Sequence, residues 1–417
     1  MKLTRLKLEN FRNHRTLELN FDLSEPITYL VGPNAAGKTN ILEGIYLLAL
    51  IKSFRTTAQS DLVEWGEEFC RISGEFEVEE AVFPSASQGK QQDGFPGETG
   101  SERSGEPPGR ILLEVFVGNP PHPKQSLKKN NVKVSAENFI GSCQIVFFHP
   151  EDLNMLYLGP DLRRRYLDIL NLQINKKYYR ALRKYRQVLK QRNALLKAVK
   201  EGYARKEELA VWDEQLAENG SLLIAERFRT VEFMNTRLQD YYQGIAQSED
   251  KIGVGYECAL GPGQTGKELS GNPEEIKTTY ASALEAAKRI DLQSEVTTIG
   301  PHRDDLKFFL NSRPLHTHAS RGEYRSLLLS LKLLELEFLK KQTGRKPILL
   351  LDDVFSELDL ERQKMLLDAI NEHQTIITAS HLDEAISSRA HRSLNTGSSL
   401  KVQVLAGRSA DASIKPE

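Results

Sequence analysis

Polar and apolar residues alternate at the start of this chain. Lys2-Leu3-Thr4-Arg5-Leu6-Lys7-Leu8 repeats with period two, and so does Thr16-Leu17-Glu18-Leu19-Asn20-Phe21. That period predicts two half-buried strands. Ile27-Thr28-Tyr29-Leu30-Val31 is a short apolar strand, and a helix is predicted from Lys38 to about Leu50. Further strands are expected at Cys70–Val78 and Ile111–Val117. Between those two, Phe83 to Arg110 is rich in Gly, Ser, Pro, Gln and Glu. Such a segment buries too little to offset its ordering entropy, so a disordered insertion in a hairpin loop is expected.

After an apolar strand at Gln144–Phe148 the spacing changes to three and four. Leu167, Leu170 and Ile174, then Leu182, Tyr185 and Leu189, mark long helical patterns from Asp161 to about Glu201 and from Glu207 to about Gln247. Forty helical residues would reach about 60 Å if unbroken. Gly253 to Pro273 is turn-rich, and a helix follows at about Glu274–Arg289. The remainder alternates: strand Lys307–Leu310, helix Gly322–Lys341, strand Pro347–Leu351, helix Asp359–Asn371, strand Thr375–Thr378. This pattern predicts an α/β fold, a mixed sheet covered by helices. The expected organisation is a head split in sequence, residues 1–158 and 291–417, with a helical lobe at 159–290 between its halves.

Composition narrows the class. The 417 residues are 39% hydrophobic and 27% charged, as in ordinary globular proteins. No apolar run approaches the roughly 18–20 residues that span a membrane. The first residues lack the apolar core of a signal peptide. Three scattered cysteines, Cys70, Cys143 and Cys258, have no metal spacing and fit reduced thiols in a cytoplasmic protein. The formal net charge is −1, yet Asp161 to Lys200 holds thirteen Lys/Arg against two Asp. A neutral average thus conceals a strongly basic segment. Such an excess suits salt-sensitive, sequence-independent contact with nucleic-acid phosphates, with Arg163, Arg164, Arg165, Arg183, Lys184 and Arg186 as candidates. A solvated helix face is the plainer alternative.

Gly32-Pro33-Asn34-Ala35-Ala36-Gly37-Lys38-Thr39 matches the phosphate-binding loop pattern completely, after a predicted strand and opening a predicted helix with Asn40 next. Backbone N–H groups of the loop would wrap the phosphates, Lys38 would contact the β- and γ-phosphates, and Thr39 would ligate Mg²⁺. Leu349-Leu350-Leu351-Asp352-Asp353 ends a buried strand in two carboxylates. Asp352 is placed to hold Mg²⁺, and Asp353 to orient or deprotonate the attacking water. Many ABC-type ATPases carry Glu at that second position; the shorter Asp predicts slow turnover. Ser320-Arg321-Gly322-Glu323 precedes an apolar-periodic helix. It reads as a capping box and, as a helix N-terminus with a hydroxyl and a glycine amide, as a γ-phosphate site. Ser356-Glu357-Leu358-Asp359 resembles a D-loop, and His381 follows the last strand where a switch histidine is expected. Gln144 is the nearest glutamine to a Q-loop position, though it starts its strand rather than ending it.

Together these residues resemble the bacterial RecF family of DNA recombination and repair ATPases. The likeness runs nearly end to end, through Leu8-Glu9-Asn10-Phe11-Arg12-Asn13-His14, Lys52-Ser53-Phe54-Arg55-Thr56, Pro150-Glu151-Asp152-Leu153, Arg163-Arg164-Arg165-Tyr166-Leu167-Asp168 and Gly300-Pro301-His302-Arg303-Asp304-Asp305-Leu306. The resemblance implies an ABC-type ATPase head without a long coiled coil. It also implies an ATP-dependent homodimer in which the Ser-Arg-Gly-Glu turn serves the other subunit's nucleotide. The cargo would be double-stranded DNA and single-strand/double-strand junctions, in a cytoplasmic, nucleoid-associated protein. RecR, RecO and RecA are the partners it implies. A transporter ATPase subunit and a non-hydrolysing ATP-binding scaffold are the competing readings. The long helical insertion and basic arm argue against the transporter.

Overall fold

The computed structural model describes residues 1–24, 26–82, 108–119, 125–260, 271–380 and 401–404. Most of the expected insertion, residues 83–107, and His381 lie outside them. The chain divides into two compact units, Met1–Asp152 with Glu335–Glu417, and Leu153–Leu334.

The first unit opens with β1 (Lys2–Phe11), β2 (His14–Asn20), β3 (Ile27–Val31), α1 (Lys38–Leu50), β4 (Phe69–Val78) and β5 (Gly109–Gly118). β6 (Gln125–Lys129), β7 (Val132–Lys133), α2 (Ala136–Phe139) and β8 (Ile145–Phe148) follow. The second unit holds α3 (Asn154–Tyr157), α4 (Pro160–Ile174), α5 (Lys176–Lys200), α6 (Leu209–Ala246), β9 (Ile252–Glu257), α7 (Pro273–Ser294), β10 (Asp305–Leu310), β11 (Arg313–Pro314) and α8 (Leu315–His318). The helix α9 (Arg321–Thr343) passes into the first unit, which ends with β12 (Ile348–Asp352), α10 (Leu360–Ala369), β13 (Thr375–Ala379) and β14 (Lys401–Val404).

Two sheets build the first unit. One is antiparallel in the order β2-β1-β4-β5-β6-β7. Its inward positions Leu3, Leu6, Leu8, Ile72, Leu113 and Val115 are all fully buried, as the period-two pattern requires. The other sheet, β14-β3-β13-β12-β8, is parallel throughout. β3, β8, β12 and β13 are apolar runs buried on both faces, the signature of a covered parallel sheet. Leu3 and Gln374 tie the two sheets: the Leu3 N–H donates to Gln374 Oε1 (2.6 Å) and Gln374 Nε2 donates to the Leu3 carbonyl (2.8 Å).

The second unit departs from the expected pattern in two places. The 40-residue helix is two helices, α4 and α5, meeting at Asn175. Asn175 has extended dihedrals and its side chain accepts from the Tyr178 N–H, so it stops one helix and caps the next. The segment read as turn-rich from Gly253 begins inside a strand, β9, paired with β10. Ile252, Val254 and Tyr256 alternate inward there, and the intervening glycines hid that alternation. Residues 291–334, assigned from sequence to the head, lie in this unit.

Candidate nucleotide site

Phosphate-binding loops need tight backbone turns close to neighbouring chain. Gly37 has φ +93°, and a Cβ there would stand 2.5 Å from His14 Nε2 and 2.6 Å from Asn13 Oδ1. Both conformation and space therefore demand glycine. His14 Nε2 lies 3.1 Å from the Gly37 carbonyl, and burial lowers the His14 pKa, so a neutral ring donates that bond. Lys38 Nζ donates to the carbonyls of Gly32 (2.6 Å) and Pro33 (2.9 Å). The ammonium is thus held over the loop that should receive phosphate.

The parallel sheet brings the remaining groups alongside. β13 lies between β3 and β12, with Thr378 opposite both Leu30 and Asp352. Thr39 Oγ1 donates to Asp352 Oδ1 (2.9 Å), and Thr378 Oγ1 donates to the same oxygen (2.7 Å). The Asp353 N–H in turn donates to Thr378 Oγ1 (3.0 Å). Asp353 has φ +52°, uncommon for a non-glycine residue, and it lines the cleft. These groups line an open cleft of about 550 Å³ together with Asn34, Ala35 and Asn40. Three more residues line it that sequence reasoning did not assign: Asn13, Arg55 and Thr378. Asn13 and Arg55 sat in quoted family motifs, which were their only signal.

A buried carboxylate explains why those motifs converge. Glu43, on α1, is fully buried and accepts two bonds from Arg12 (2.9 and 2.7 Å) and one from Ser53 (2.5 Å). Arg55 donates to Asn40 (2.8 Å), and Asn40 to Asn13 (2.7 Å). The N-terminal hairpin and the segment after α1 are thereby clamped around the loop helix.

Thr39 and Asp352 supply hard oxygen donors 2.9 Å apart, a set that suits Mg²⁺ shared with phosphate oxygens and water. Among the described residues no cluster of three or more His, Cys, Asp or Glu could hold a metal alone.

Gln144 does not join this site. It precedes β8, whose Ile145 pairs with Ile348 at the far end of the sheet from Asp352. That end is about 13 Å away along the strand. Its buried amide donates to the Gly141 carbonyl (2.6 Å). The residue at the correct end is His149, next to Phe148, which pairs with Leu351. Its ring stacks against Phe54 at 5.5 Å and Nε2 lies 3.2 Å from Asp152.

In the second unit the Ser320–Glu323 turn forms a reciprocal capping box. The Ser320 N–H donates to Glu323 Oε2 (2.5 Å), and the Glu323 N–H to Ser320 Oγ (3.3 Å). Ser320 and Arg321 are exposed, and a Cβ at Gly322 would stand 3.9 Å from Ser320 Oγ, in ordinary contact. Asp359 caps α10 by accepting from the Arg362 N–H (2.9 Å), and Ser356 Oγ donates to the Asp353 carbonyl (2.7 Å).

The basic segment separates into two sets. Arg163 pairs with Asp305 (2.7 Å), and Arg164 donates to the Asp304 carbonyl (2.6 Å); both side chains are nearly covered. Asp168, buried beside them, accepts from Arg227 (2.8 Å), Arg186 (2.9 Å) and Tyr178 (2.5 Å). Arg227 also donates to Tyr178 (3.0 Å) and the Pro301 carbonyl (2.6 Å). Burial opposes its charge, but Tyr178 and Asp168 carry its pKa upward. The Arg-Arg-Arg-Tyr-Leu-Asp and Gly-Pro-His-Arg-Asp-Asp motifs are therefore the polar core of this unit. Arg165 on α4 is exposed, as are Arg180, Arg183, Lys184, Arg186, Lys190 and Lys197 on α5.

A family model described as an AAA ATPase domain matches residues 1–214. The DNA replication and repair protein RecF of Halalkalibacterium halodurans is 34% identical over 390 residues, covering 92% of this chain and 94% of its own. That of Clostridium novyi is 34% identical over 383 residues, with the same coverage. This chain belongs to the RecF family. A solved structure of "the recombination mediator protein RecF-ATPrS in RecFOR pathway" superposes with TM-score 0.79 at 31% identity, over 92% of this chain and 94% of that one. The corresponding RecF-ATP structure gives TM-score 0.78, also at 31% identity, over 92% of each chain. The fold is thus the α/β ATPase head of RecF with its helical lobe. No helix among the described residues is long and apolar enough to cross a membrane.

Proposed function

We propose that this RecF-family chain is an ATP-gated clamp on double-stranded DNA in recombinational repair. The observation that carries the reading is the coupling of Thr39, Asp352, Thr378 and Asp353 into one hydrogen-bonded row beside the P-loop. That row belongs to the first unit, while the Ser320–Glu323 turn belongs to the second. The turn serves the nucleotide of a second copy, so ATP closes a homodimer. The ATP-bound RecF structures support the nucleotide, and their RecFOR context supports work with RecO and RecR. The proposed outcome of that work is RecA placed at gaps and junctions. The protein acts in the cytoplasm, on the nucleoid.

Within the cleft, Lys38 and the loop amides bind the triphosphate. Mg²⁺, held by Thr39 and Asp352, offsets phosphate charge when bound. Asp353 orients water and accepts its proton. Its backbone is fixed by Thr378, but its short side chain reaches less far than a glutamate, which makes turnover slow and the closed state long-lived. Asp353→Asn is expected to lower ATP turnover about 10²–10⁴-fold with ATP affinity kept. Single-turnover hydrolysis beside nucleotide titration checks this, and unchanged turnover would remove Asp353 from the role.

DNA contact is assigned to the exposed face of α5, through Arg183, Lys184, Arg186 and Lys190. Arg163 and Arg164, candidates from sequence, are set aside because their guanidinium groups fasten the lobe internally. Reversing charge at Arg183, Lys184 and Lys190 should weaken duplex binding and flatten its logarithmic salt slope by about 0.9 per lost contact. An unaltered slope would move DNA elsewhere. The deciding experiment is sedimentation with ATP, with and without duplex DNA, at varied salt. A monomer under all conditions would sink the clamp. DNA stimulation of ATPase activity is the companion expectation.

A further inference from the structure

Trp65 is 99% exposed. Single exposed apolar residues are ordinary, but this indole stands on a firmly held turn. The Arg12 N–H donates to the Leu62 carbonyl (2.9 Å), Glu64 N–H to Asn10 (2.8 Å), and Glu67 N–H to Glu64 (3.0 Å). Phe11 and Val63 form a β-bridge, and the Arg12 side chain donates to the Asp61 carbonyl (2.7 Å). With the backbone of the turn already fixed, docking costs only the side-chain freedom of the indole, and tryptophan is among the residues enriched at binding hot spots.

The surroundings decide what kind of partner fits. Asp61, Glu64, Glu67 and Glu68 flank the indole, and residues 59–70 contain no Lys or Arg. That charge repels a phosphate backbone and favours a basic protein surface. The turn is also joined to the nucleotide cleft. Arg12, which holds the Asp61 carbonyl, is the same residue that clamps Glu43 on the P-loop helix.

This chain carries a matching surface beside its Ser-Arg-Gly-Glu turn. Tyr157 and Leu158 are 44% and 55% exposed. The Tyr157 ring packs 4.3 Å from that of Tyr324, the residue after Glu323. Residues 311–325 hold three arginines, Arg313, Arg321 and Arg325, against the single acid Glu323. Arg313 and Arg321 are exposed.

We infer that Trp65 of one subunit docks on the Tyr157–Leu158 patch of a second copy, with its acidic turn facing Arg313 and Arg321. The inference rests on the ATP-dependent homodimer proposed above and names a contact in it outside the nucleotide. Apolar anchoring and opposite charge then align the P-loop side of one subunit with the signature side of the other, in addition to ATP itself.

The test is site-directed cross-linking in the full chain. All three native cysteines are buried, and burial raises the thiol pKa of Cys70 and Cys143 to about 12, so background reaction is low. The double variant Glu68→Cys/Gly159→Cys puts cysteines beside the two patches and keeps Trp65, Tyr157 and Leu158, since Glu68 is exposed and a side chain at Gly159 meets nothing. Treated with a short bismaleimide and ATP, it is expected to give a covalent dimer, and each single variant none. Sedimentation of the same samples separates the two levels of the argument. An ATP-dependent dimer without the cross-link overturns the docking and leaves the homodimer. A monomer with ATP overturns both. Trp65→Ala should weaken ATP-dependent dimerisation by about 30-fold or more, Trp65→Phe by much less, and neither should change ATP binding by the monomer. Cross-linking of Glu68→Cys to added RecR in place of a second copy would give the turn to another protein and overturn the inference.

Discussion

Lys38→Met is expected to abolish ATP-induced dimerisation and to reduce nucleotide affinity by at least an order of magnitude. The side chain that now donates to the Gly32 and Pro33 carbonyls is the P-loop cation placed to meet the β- and γ-phosphates. A methionine of similar length keeps the apolar stem and removes the charge. The loop should keep its shape, because the left-handed turn at Gly37 and the ties from Asn13 to Asn40 and from His14 to Gly37 do not involve the ammonium. Two measurements separate binding from closure. Fluorescent-nucleotide titration reads the monomer, and sedimentation with ATP reads the dimer. Dimers persisting at micromolar protein in the variant would refute the proposal that ATP gates closure.

The second large effect is on stability. Arg227→Met should destabilise the second unit by about 3–5 kcal/mol. Arg227 is almost wholly buried and answers Asp168, Tyr178 and the Pro301 carbonyl. Removing it leaves Asp168 with Arg186, which is more than half exposed, and brings Asp304 no replacement for the guanidinium 4.0 Å away. Burial already raises the Asp304 pKa, so the loss of a nearby cation falls on a group that is poorly solvated. Urea denaturation followed by circular dichroism measures the change. Asp168→Asn combined with Arg227→Met should cost less than the sum of the two single changes, since the pair shares one network. A single-variant loss below about 1 kcal/mol would show that the network is not the core of the unit.

These two experiments probe features of unequal visibility in the sequence. The P-loop could be read directly, because its glycines, lysine and threonine act at fixed spacing along one stretch of chain. The leucine run ending at Asp352 was legible for the same reason: a strand buried on both faces leaves a contiguous apolar signature. Thr378 was not legible. It contributes through a sheet position between β3 and β12, which only strand order reveals. Gln144 misled because residue type was known but strand direction was not, and parallel pairing puts it at the wrong end. The basic segment misled differently. Charge counting cannot tell Arg183, which faces solvent, from Arg163, which is spent on Asp305. The break at Asn175 was hidden because asparagine inside a helical pattern is tolerable until its side chain turns to cap.

The strand that carries the P-loop pairs only with β13 and β14 among the described residues. Both come from beyond residue 370, whereas β3 ends at Val31. During synthesis the P-loop strand therefore leaves the ribosome without a neighbour and waits for nearly the whole chain. At ordinary elongation rates that wait is about 20–70 s. A nascent chain stalled before Thr375 would contain the complete nucleotide-binding motif and yet have no sheet on which to hold it. The sheet that seats the P-loop is therefore completed late and all at once, and a prematurely released fragment carries the loop without its support.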